Sequence, residues 1–533
     1  MSALALSWIV SLSAQNIGIN ELNTVREQTA IQAEAHLLQL VAAPPGLEHH
    51  ERTDVQDRIA LLRDDRGKLS FFLYSFLFVQ GLVPQVLLTL VLLGRLHPLL
   101  LLLPLFALPQ LYAAAHAQQR IGRTREQIAE KLKLADHLLK LATEPASSKE
   151  LRVFGVRDEF AARERDLWHQ ITEAELATWL KTSIGAIASW VVFGLGYAGA
   201  IALVTKQAFD GHATPGDVIL AVALAGQVNG QLASAAWSIS TLFETARTMW
   251  NYLWLIDYAE DAERRSAGDL PRPRRLEHGI RLEDVSFRYP GTEAPVLDAI
   301  ELDVPAGTSL AIVGENGAGK TTLVILLCRY YEPTRGRITI DGADLSTRSI
   351  PSWRKGISGS FQDFARLELL IRETVGVGDL ARLDDHSAVR SALERADATP
   401  LLERFEHGLE TKLGRSFGDG VELSGGQWQK LALSRAMMRQ LPLILILDEP
   451  TAALDAHAEH ALFARYATTA QAAAAASGTI TILVSHRFST VRMADQIVVL
   501  DAGRIRERGS HRELLRHDDL YAELYGLQAK AYL

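Results

Sequence analysis

The sequence has a single cysteine, Cys328, in 533 residues, so no internal disulfide can form and the fold does not rely on an oxidising compartment. It also lacks a basic excess. The formal net charge is −8, which gives no electrostatic footprint for nucleic acid. Glycine and proline, at 38 and 18 residues, are too few for a collagen-like or low-complexity chain. With 48% hydrophobic residues, a chain of this length is expected to form more than one domain.

Charge is absent from four long segments in the first half. Each has at least 20 residues without Asp, Glu, Lys or Arg, enough for a helix to cross about 30 Å of hydrocarbon. Buried helices of a soluble protein are the alternative, but globular helices average about 11 residues and four such runs are too many. The sequence therefore predicts membrane-spanning helices at 69–94, 96–115, 182–205 and 218–243.

The N-terminal segment is different, because residues 1–19 are apolar but no basic residue precedes them. A signal peptide is the alternative, yet it requires a basic start, so we interpret the segment as the membrane end of a helix continuing through 21–41. Residues 116–181 carry twelve Lys and Arg, which places them in the cytoplasm by the positive-inside rule. Residues 40–68 and the chain after residue 243 are then also cytoplasmic. We expect one preceding span to be missing from this chain.

The second half has the pattern of a soluble α/β domain. A polar segment with two prolines, 258–279, is predicted to link a membrane domain, 1–257, to this domain, 280–533. Short aliphatic runs alternate there with helical stretches, which predicts a largely parallel sheet. The clearest of these runs are 309–314, 444–448 and 479–485.

A phosphate-binding motif lies in this half. Residues 314–321, Gly-Glu-Asn-Gly-Ala-Gly-Lys-Thr, fit the pattern G-x-x-x-x-G-K-S/T between a predicted strand and a predicted helix. The glycines let backbone N–H groups curl around phosphates, and the helix N-terminus adds positive potential. Lys320 can then reach the β- and γ-phosphates, and Thr321 can supply a ligand to Mg²⁺.

Two adjacent carboxylates follow an aliphatic strand at 443–447. A strand that buries its length and ends in two acids suits a metal ligand beside a base. Asp448 would hold Mg²⁺ through water, and Glu449 would polarise the attacking water. Two solvated acids at a strand end are the alternative, which the phosphate-binding motif makes the weaker interpretation.

Between these motifs lies Leu-Ser-Gly-Gly-Gln at 423–427, which by itself predicts only a helix start capped by Ser424. In this order and spacing, the three motifs resemble those of ATP-binding-cassette (ABC) ATPases, whose signature this pentapeptide is. Membership of that family implies that one copy's signature completes the nucleotide site of the opposing subunit. One cassette per chain therefore implies a dimer.

Single residues at further positions also match the family. The resemblance implies that Tyr289 stacks on adenine, that Gln362 is the Q-loop glutamine, that Asp455 belongs to the D-loop and that His486 is the switch histidine. Each match is weak alone, and their occurrence in family order supports the resemblance. The implied catalytic set is Lys320, Gln362, Glu449 and His486, and the implied Mg²⁺ ligands are Thr321, Gln362 and Asp448. The implied nucleotide-binding set is Tyr289, Gly314, Asn316, Gly317, Gly319, Lys320, Thr321, Thr322, Ser424, Gly425, Gly426 and Gln427.

The first half is similar to the membrane domain of ABC exporters. Residues 40–62 and 149–168 look like the two cytoplasmic loops of that domain, the second with a short helix that touches the nucleotide-binding domain. The implied fold is multidomain, an all-α transmembrane domain of the exporter type fused to an α/β P-loop ABC ATPase domain. The implied cofactors are ATP and Mg²⁺, and the implied location is the bacterial inner (plasma) membrane with the ATPase domain in the cytoplasm. The implied partners are a second copy or a paralogous half-transporter, membrane lipid and an unidentified cargo, with no nucleic acid.

Two kinds of cargo stay open. No charge lies inside a predicted span, so neither a proton relay nor a fixed ion site is indicated, which favours an apolar or amphipathic cargo. Residues 361–379 and 417–430 look similar to exporters of ribosomally made peptides such as lantibiotics, and Trp428 stands where multidrug exporters more often have arginine. Peptide export is one hypothesis, and lipid or multidrug export is the other.

Two further functions belong to other classes. A membrane sensor could use ATP binding to signal without transporting anything. A soluble-type ABC ATPase could act on DNA or ribosomes, although the four predicted spans and the lack of a basic groove argue against it.

Overall fold

The structure is a computed structural model that describes residues 2–64, 66–266, 268–450, 471–485 and 487–531. The chain divides into two compact units. The first comprises Met1–Gln39 and Arg58–Leu255, and the second comprises Leu40–Asp57 and Ile256–Leu533. The predicted division, 1–257 and 280–533, kept residues 40–57 in the membrane domain, whereas the structure groups them with the second unit.

Long helices dominate the first half of the chain. The first of them is continuous from Ser2 to Ala42, as expected for a helix that runs on through 21–41. A 3₁₀ turn, Pro98–Leu102, interrupts the apolar sequence between two of the others. The helices are α1 (Ser2–Ala42), α2 (Glu48–Glu51), α3 (Thr53–Asp64), α4 (Arg66–Leu96), α5 (Leu103–Thr143), α6 (Pro145–Val153), α7 (Arg157–Phe209) and α8 (Pro215–Ser266).

Four of the described helical segments are long and apolar enough to cross a membrane, as the uncharged runs predicted. These segments are Phe78–Leu96, Pro98–Thr143, Arg157–Phe209 and Pro215–Ser266. Between 11% and 28% of their most apolar windows is buried within the chain, so most residues of these windows lie on its surface.

One buried hydrophobic cluster of this helical unit is shared by α4, α5, α7 and α8, with Leu93, Leu103, Phe193 and Leu224 among its members. A buried hydrogen bond adds to it, donated by Gln231 Nε2 to Thr89 Oγ1 at 2.9 Å. Such interhelical bonds stabilise helix pairs where no water competes for the polar groups. Helix α8 ends at Ser266, so the start of the predicted linker 258–279 is helical.

The second unit contains two sheets. One is antiparallel, in the order β2-β1-β4-β5, and the other has the order β10-β9-β3-β8-β7-β6. Strands β9, β3, β8, β7 and β6 pair in parallel and β10 pairs antiparallel with β9, which confirms the largely parallel sheet. The strands are β1 (Gly279–Phe287), β2 (Leu297–Pro305), β3 (Ser309–Val313), β4 (Arg335–Ile340), β5 (Ala343–Asp344), β6 (Ile357–Ser360), β7 (Ile444–Asp448), β8 (Ile480–Val484), β9 (Gln496–Asp501) and β10 (Arg504–Gly509).

Shorter helices surround these sheets, and residues 471–477 are helical as well. The labelled helices are α9 (Lys320–Leu327), α10 (Ile350–Arg354), α11 (Ile371–Gly376), α12 (His386–Arg395), α13 (Thr399–Leu402), α14 (Gly425–Ala436), α15 (Phe488–Val491), α16 (His511–His517) and α17 (Leu520–Ala531). Three 3₁₀ turns lie at Leu345–Thr347, Leu380–Arg382 and Gly408–Glu410.

The main core of this unit lies between the two sheets and α9. Strand residues such as Leu310 and Ile312 pack there on Leu323 and Val324 of the helix. A second core joins α11, α12 and α14 and includes Trp428, which is 2% exposed. Both cores fix the carboxyl ends of β3, β7 and β8, the edge at which open α/β sheets bind ligands.

Candidate nucleotide-binding site

The phosphate loop leads from β3 into α9. Its last glycine, Gly319, has φ +100°, and an added Cβ would lie 2.6 Å from Leu297 Cδ2. Only glycine adopts that conformation at low cost, and only glycine leaves room for the Leu297 side chain. The loop conformation is therefore fixed by residue type, with the free N–H groups of the first turn of α9 available to an anion.

Lys320 lies within this loop and is 9% exposed. Its Nζ donates to the carbonyl oxygens of Gly314 and Glu315, each at 2.8 Å. Burial lowers the pKa of Lys320, and the nearby carboxyl groups of Glu449 and Asp448 oppose that shift. The ammonium group is thus held over the loop by neutral carbonyl groups, which phosphate oxygens can replace with stronger charge-assisted bonds.

Asp448 ends strand β7 and is 2% exposed. Its pKa is raised to about 6, mainly by burial and also by Glu449 and Asp363, while Lys320 and a hydrogen bond from the backbone N–H of Gln362 oppose the rise. The structure therefore brings together three residues of the predicted catalytic and metal sets around this carboxyl group. A bound cation would favour the ionised form of Asp448.

Glu449 has a left-handed backbone conformation, with φ +46°. Its N–H donates to Val484 O at 2.9 Å, which continues the pairing of β7 with β8. On the other side, its carbonyl oxygen accepts a hydrogen bond from Gln429 Nε2 at 3.0 Å. A non-glycine residue in this region costs roughly 1–3 kcal/mol, and such strain is concentrated at functional sites.

Tyr289, which the family resemblance assigns to stacking on adenine, is half-buried. Its ring contacts Phe287 and Tyr331 edge-on, with centroid distances of 4.9 and 5.5 Å. Its hydroxyl group lies 3.2 Å from Thr322 Oγ1, in the first turn of α9. The ring is therefore held beside the first turn of α9, and its stacking role stays a prediction.

A cleft of about 790 Å³ joins several of the predicted residues. Gly314 and Asn316 line it together with Gln362 and Glu449. That volume is within the roughly 300–1,000 Å³ of small-molecule sites. The C-terminal helix α17 also lines the cleft, through Leu524 and Leu527, which sequence analysis did not anticipate.

The signature residues are not among those that line this cleft. Ser424 is the N-cap of α14, and its hydroxyl oxygen accepts from Gln427 N while Gln427 Oε1 accepts from Ser424 N at 2.8 Å. Ser424 and Gly425 are exposed, and an added Cβ at Gly425 would meet nothing within 4 Å. The helix start predicted at Ser424 is confirmed, in the form of a capping box.

Asp455 and His486 lie outside the described residues. The predicted roles of both residues stay predictions, as do those of Gly317, Thr321 and Gly426.

Two contacts near the site were not predicted. Gln429 binds the backbone of Glu449, and Tyr331 Oη donates to Glu51 Oε2 at 2.5 Å. The second contact joins residues 280 positions apart, and no local pattern signals such a pair.

Comparison with known proteins agrees with this geometry. Residues 297–452 match the family profile described as ABC transporter. An ATP-dependent lipid A-core flippase of Alcanivorax borkumensis is 30% identical over 410 residues, which cover 76% of this chain and 67% of the flippase. The chain belongs to the ABC transporter family. The predicted fusion of a helical membrane-type domain to an ABC ATPase domain is thereby confirmed.

Other relatives of this ABC transporter chain carry two kinds of name. A lipid A-core flippase of Ralstonia nicotianae is 42% identical over 256 residues, 48% of this chain and 41% of that protein. The subtilin transport ATP-binding protein SpaT of Bacillus subtilis is 30% identical over 384 residues, 72% of this chain and 61% of that protein. The chain thus spans between 41% and 67% of the length of these three relatives.

A solved structure shares the fold. It is that of a bacterial Atm1-family ABC exporter with ATP bound, with a TM-score of 0.84 and 24% sequence identity. The match covers 99% of this chain and 90% of that chain.

Proposed function

We propose that this chain is one half of a dimeric exporter of the bacterial inner membrane, in which ATP hydrolysis in the second unit moves an amphipathic cargo. The observation that carries the proposal is the attachment of residues 40–57 to the nucleotide-binding unit. These residues connect α1 to α3 and so continue on both sides into the helical unit.

Two hydrogen bonds make this attachment. Tyr331 Oη donates to Glu51 Oε2 at 2.5 Å, and Arg354 Nη2 donates to Pro45 O at 2.5 Å. Burial and the bond to Glu51 raise the pKa of Tyr331, so the phenol keeps its proton and remains a donor at neutral pH. The Tyr331 ring also contacts the Tyr289 ring. A nucleotide base that stacks on Tyr289 would therefore touch a side chain next to Tyr331, whose hydroxyl group is hydrogen-bonded to residues 40–57.

Hydrolysis would use the residues around Asp448. Lys320 would bind the β- and γ-phosphates, and Glu449 would orient and deprotonate the attacking water. The donors near the phosphate loop suit Mg²⁺, because the Thr321 hydroxyl, the Gln362 amide and the Asp448 carboxylate offer hard oxygen ligands. When bound, Mg²⁺ would neutralise phosphate charge, and it would keep Asp448 ionised despite its raised pKa.

The exposed signature turn supports a dimer. Ser424, Gly425, Gly426 and Gln427 would complete the site of the opposing subunit, which agrees with the absence of Ser424 and Gly425 from the lining of their own chain's cleft. Both subunits of a homodimer would then have a complete site. His486, whose role rests on the family resemblance, would contact the γ-phosphate.

A lipid is the cargo that we propose. The membrane-spanning segments predicted from sequence contain no charged residue, which suits a molecule with a long apolar part. Several relatives are named lipid A-core flippases, while one is named for subtilin transport. Peptide export is therefore the competing outcome of the same experiment.

The test reconstitutes the full-length protein in proteoliposomes and measures ATP-driven movement of a fluorescent lipid and, separately, of a lantibiotic peptide. We expect lipid movement that requires Mg²⁺ and ATP and is lost in Glu449→Gln. Peptide movement alone would replace the lipid proposal. Hydrolysis with neither movement would favour an ATP-dependent sensor.

A second variant tests the attachment itself. Tyr331→Phe keeps the aromatic ring but removes the donor to Glu51. We expect lipid movement to fall by about 3- to 10-fold, the effect of one hydrogen bond, while basal hydrolysis changes less than twofold. Lys355→Met, a change in a lysine that makes neither bond, is the control and should match wild type in both measurements. Equal loss of hydrolysis and movement in Tyr331→Phe would contradict the proposed coupling.

A further inference from the structure

Gln429 links the helix that begins at the signature to the backbone of Glu449. It lies in the second turn of α14 and is 6% exposed. Its Nε2 donates to Glu449 O at 3.0 Å. This contact joins two segments whose proposed roles concern different nucleotides, since the signature serves the opposing subunit's ATP and Glu449 serves its own.

The two peptide groups that flank Glu449 are each held by a neighbouring element. Its N–H is bonded to Val484 of β8, and its carbonyl group is bonded to Gln429 of α14. The orientation of these peptide groups fixes the direction of the Cα–Cβ bond. Because Glu449 has the left-handed conformation, which a non-glycine residue keeps only when its surroundings enforce it, these bonds fix the direction in which its side chain leaves the backbone and so the region that its carboxylate can reach.

Helix α14 connects this contact to the exposed turn. Gln429 follows Ser424 by five residues, which is about 7.5 Å along a helix. Over that length a hydrogen-bonded helix moves as one body. Trp428 and Leu431, on both sides of Gln429, are buried in the second core and hold this part of α14 in place. A shift of the turn along the helix would therefore move the Gln429 backbone with it.

We infer that Gln429 is a positioning residue, through which contact of the signature turn with the opposing nucleotide aligns Glu449 in the same subunit. This inference rests on the proposed roles of Glu449 and of the signature turn. It gives the two sites of a dimer a physical route of coupling, because the nucleotide bound to one subunit would orient Glu449 of the other.

The test compares three variants of the full-length protein in proteoliposomes. Gln429→Met keeps the side-chain length without the donor, and Gln429→Glu places a carboxylate against the Glu449 carbonyl oxygen. Ser434→Ala is the control, because Ser434 is buried on the same helix and donates to Lys430 O at 2.7 Å, away from Glu449. The measurements are kcat, KM for ATP, ATP binding, ATP trapped in the closed dimer and thermal unfolding.

We expect Gln429→Met to lower kcat by about tenfold, the loss of one hydrogen bond, with KM, ATP binding and unfolding temperature unchanged. Gln429→Glu should lower kcat further. Trapped ATP should increase in both variants, because closure still occurs and hydrolysis is slower. Ser434→Ala should keep a wild-type kcat.

Other results would overturn the inference. One such result is a kcat for Gln429→Met within twofold of wild type, and another is a fall in trapped ATP. The inference also fails if Ser434→Ala loses as much kcat, or if the loss in Gln429→Met comes with weaker ATP binding or a lower unfolding temperature. Glu449→Gln separates the two proposals. If Glu449→Gln still hydrolyses ATP, the proposed function is wrong at its base. If Glu449→Gln is inactive while Gln429→Met is unaffected, only the present inference fails.

Discussion

The phosphate loop (314–321) and the signature turn (424–427) both begin a helix, yet the chain surrounds them differently. In the loop, Lys320 is buried on carbonyl groups of the same segment, and the Leu297 side chain leaves no room for a Cβ at Gly319. In the turn, Ser424 is exposed and Gly425 has open space beside it. Both regions would use a helix N-terminus to bind phosphate. The helix N-terminus is enclosed where it would hold the chain's own nucleotide and exposed where it would contact the nucleotide of another subunit.

The largest effect is expected at the enclosed site. Lys320→Ala removes the cation that would bind the phosphates, so ATP binding should be lost and hydrolysis should fall by roughly 10²–10³-fold. Equilibrium binding of a fluorescent ATP analogue and steady-state hydrolysis measure the two effects. Tight binding in this variant would show that the loop is not the primary nucleotide site.

The open turn should behave differently. Gly425→Asp puts a carboxylate where the opposing phosphates would lie, so hydrolysis should fall by about 10²-fold while ATP binding stays near wild type. Gly425→Ala is the matched control, because its Cβ meets no atom of its own chain and adds no charge, so hydrolysis should fall much less than in Gly425→Asp. If Gly425→Asp also loses ATP binding, the turn serves its own chain and the contrast between the two regions disappears.

Stability separates the two glycines as well. Gly319→Ala forces alanine into φ +100° and pushes its Cβ toward Leu297. The conformation alone costs roughly 1–2 kcal/mol, which should lower the unfolding temperature of the nucleotide-binding unit by roughly 2–8 °C. Calorimetry should find Gly425→Ala unchanged. Equal stability of the two alanine variants would mean that the loop relaxes around the new side chain.

The smallest effect is expected at Tyr289. Tyr289→Leu removes the ring but keeps an apolar side chain, so KM for ATP should rise about 2- to 10-fold with kcat unchanged. Tyr289→Phe keeps the ring and should show nearly the wild-type KM. A fall in kcat for Tyr289→Leu, without a change in KM, would place the ring's role in coupling rather than in base stacking.

Local patterns sufficed for much of the fold. The four uncharged runs predicted the helices that can span a membrane, and the aliphatic runs at 309–314, 444–448 and 479–485 predicted strands β3, β7 and β8. Local sequence predicts such elements because the whole segment has one apolar environment. That environment is lipid for the membrane helices and the protein core for the strands, and it selects the same residue types along the segment. Local pattern gave no element at the start of the predicted linker 258–279, where α8 continues to Ser266.

The candidate site was predictable where a motif carries its own chemistry. The loop around Lys320 and the acids Asp448 and Glu449 were identified from residue type and order. Sequence did not reveal that the Gln362 backbone bonds Asp448, or that Gln429 bonds Glu449. Both contacts depend on how separate elements pack, and nothing in the local sequence encodes the partner of a buried donor.

The sequence by itself determined the family, the membrane-type character of the first half and the motifs of the candidate nucleotide site, because each depends on residue type at a fixed local spacing. Tertiary structure alone decided that residues 40–57 belong with the nucleotide-binding unit, that Glu449 takes a left-handed conformation and that the signature turn stays open. These features arise from contacts between residues far apart in the chain, such as Tyr331 with Glu51, and chain packing rather than local propensity selects them.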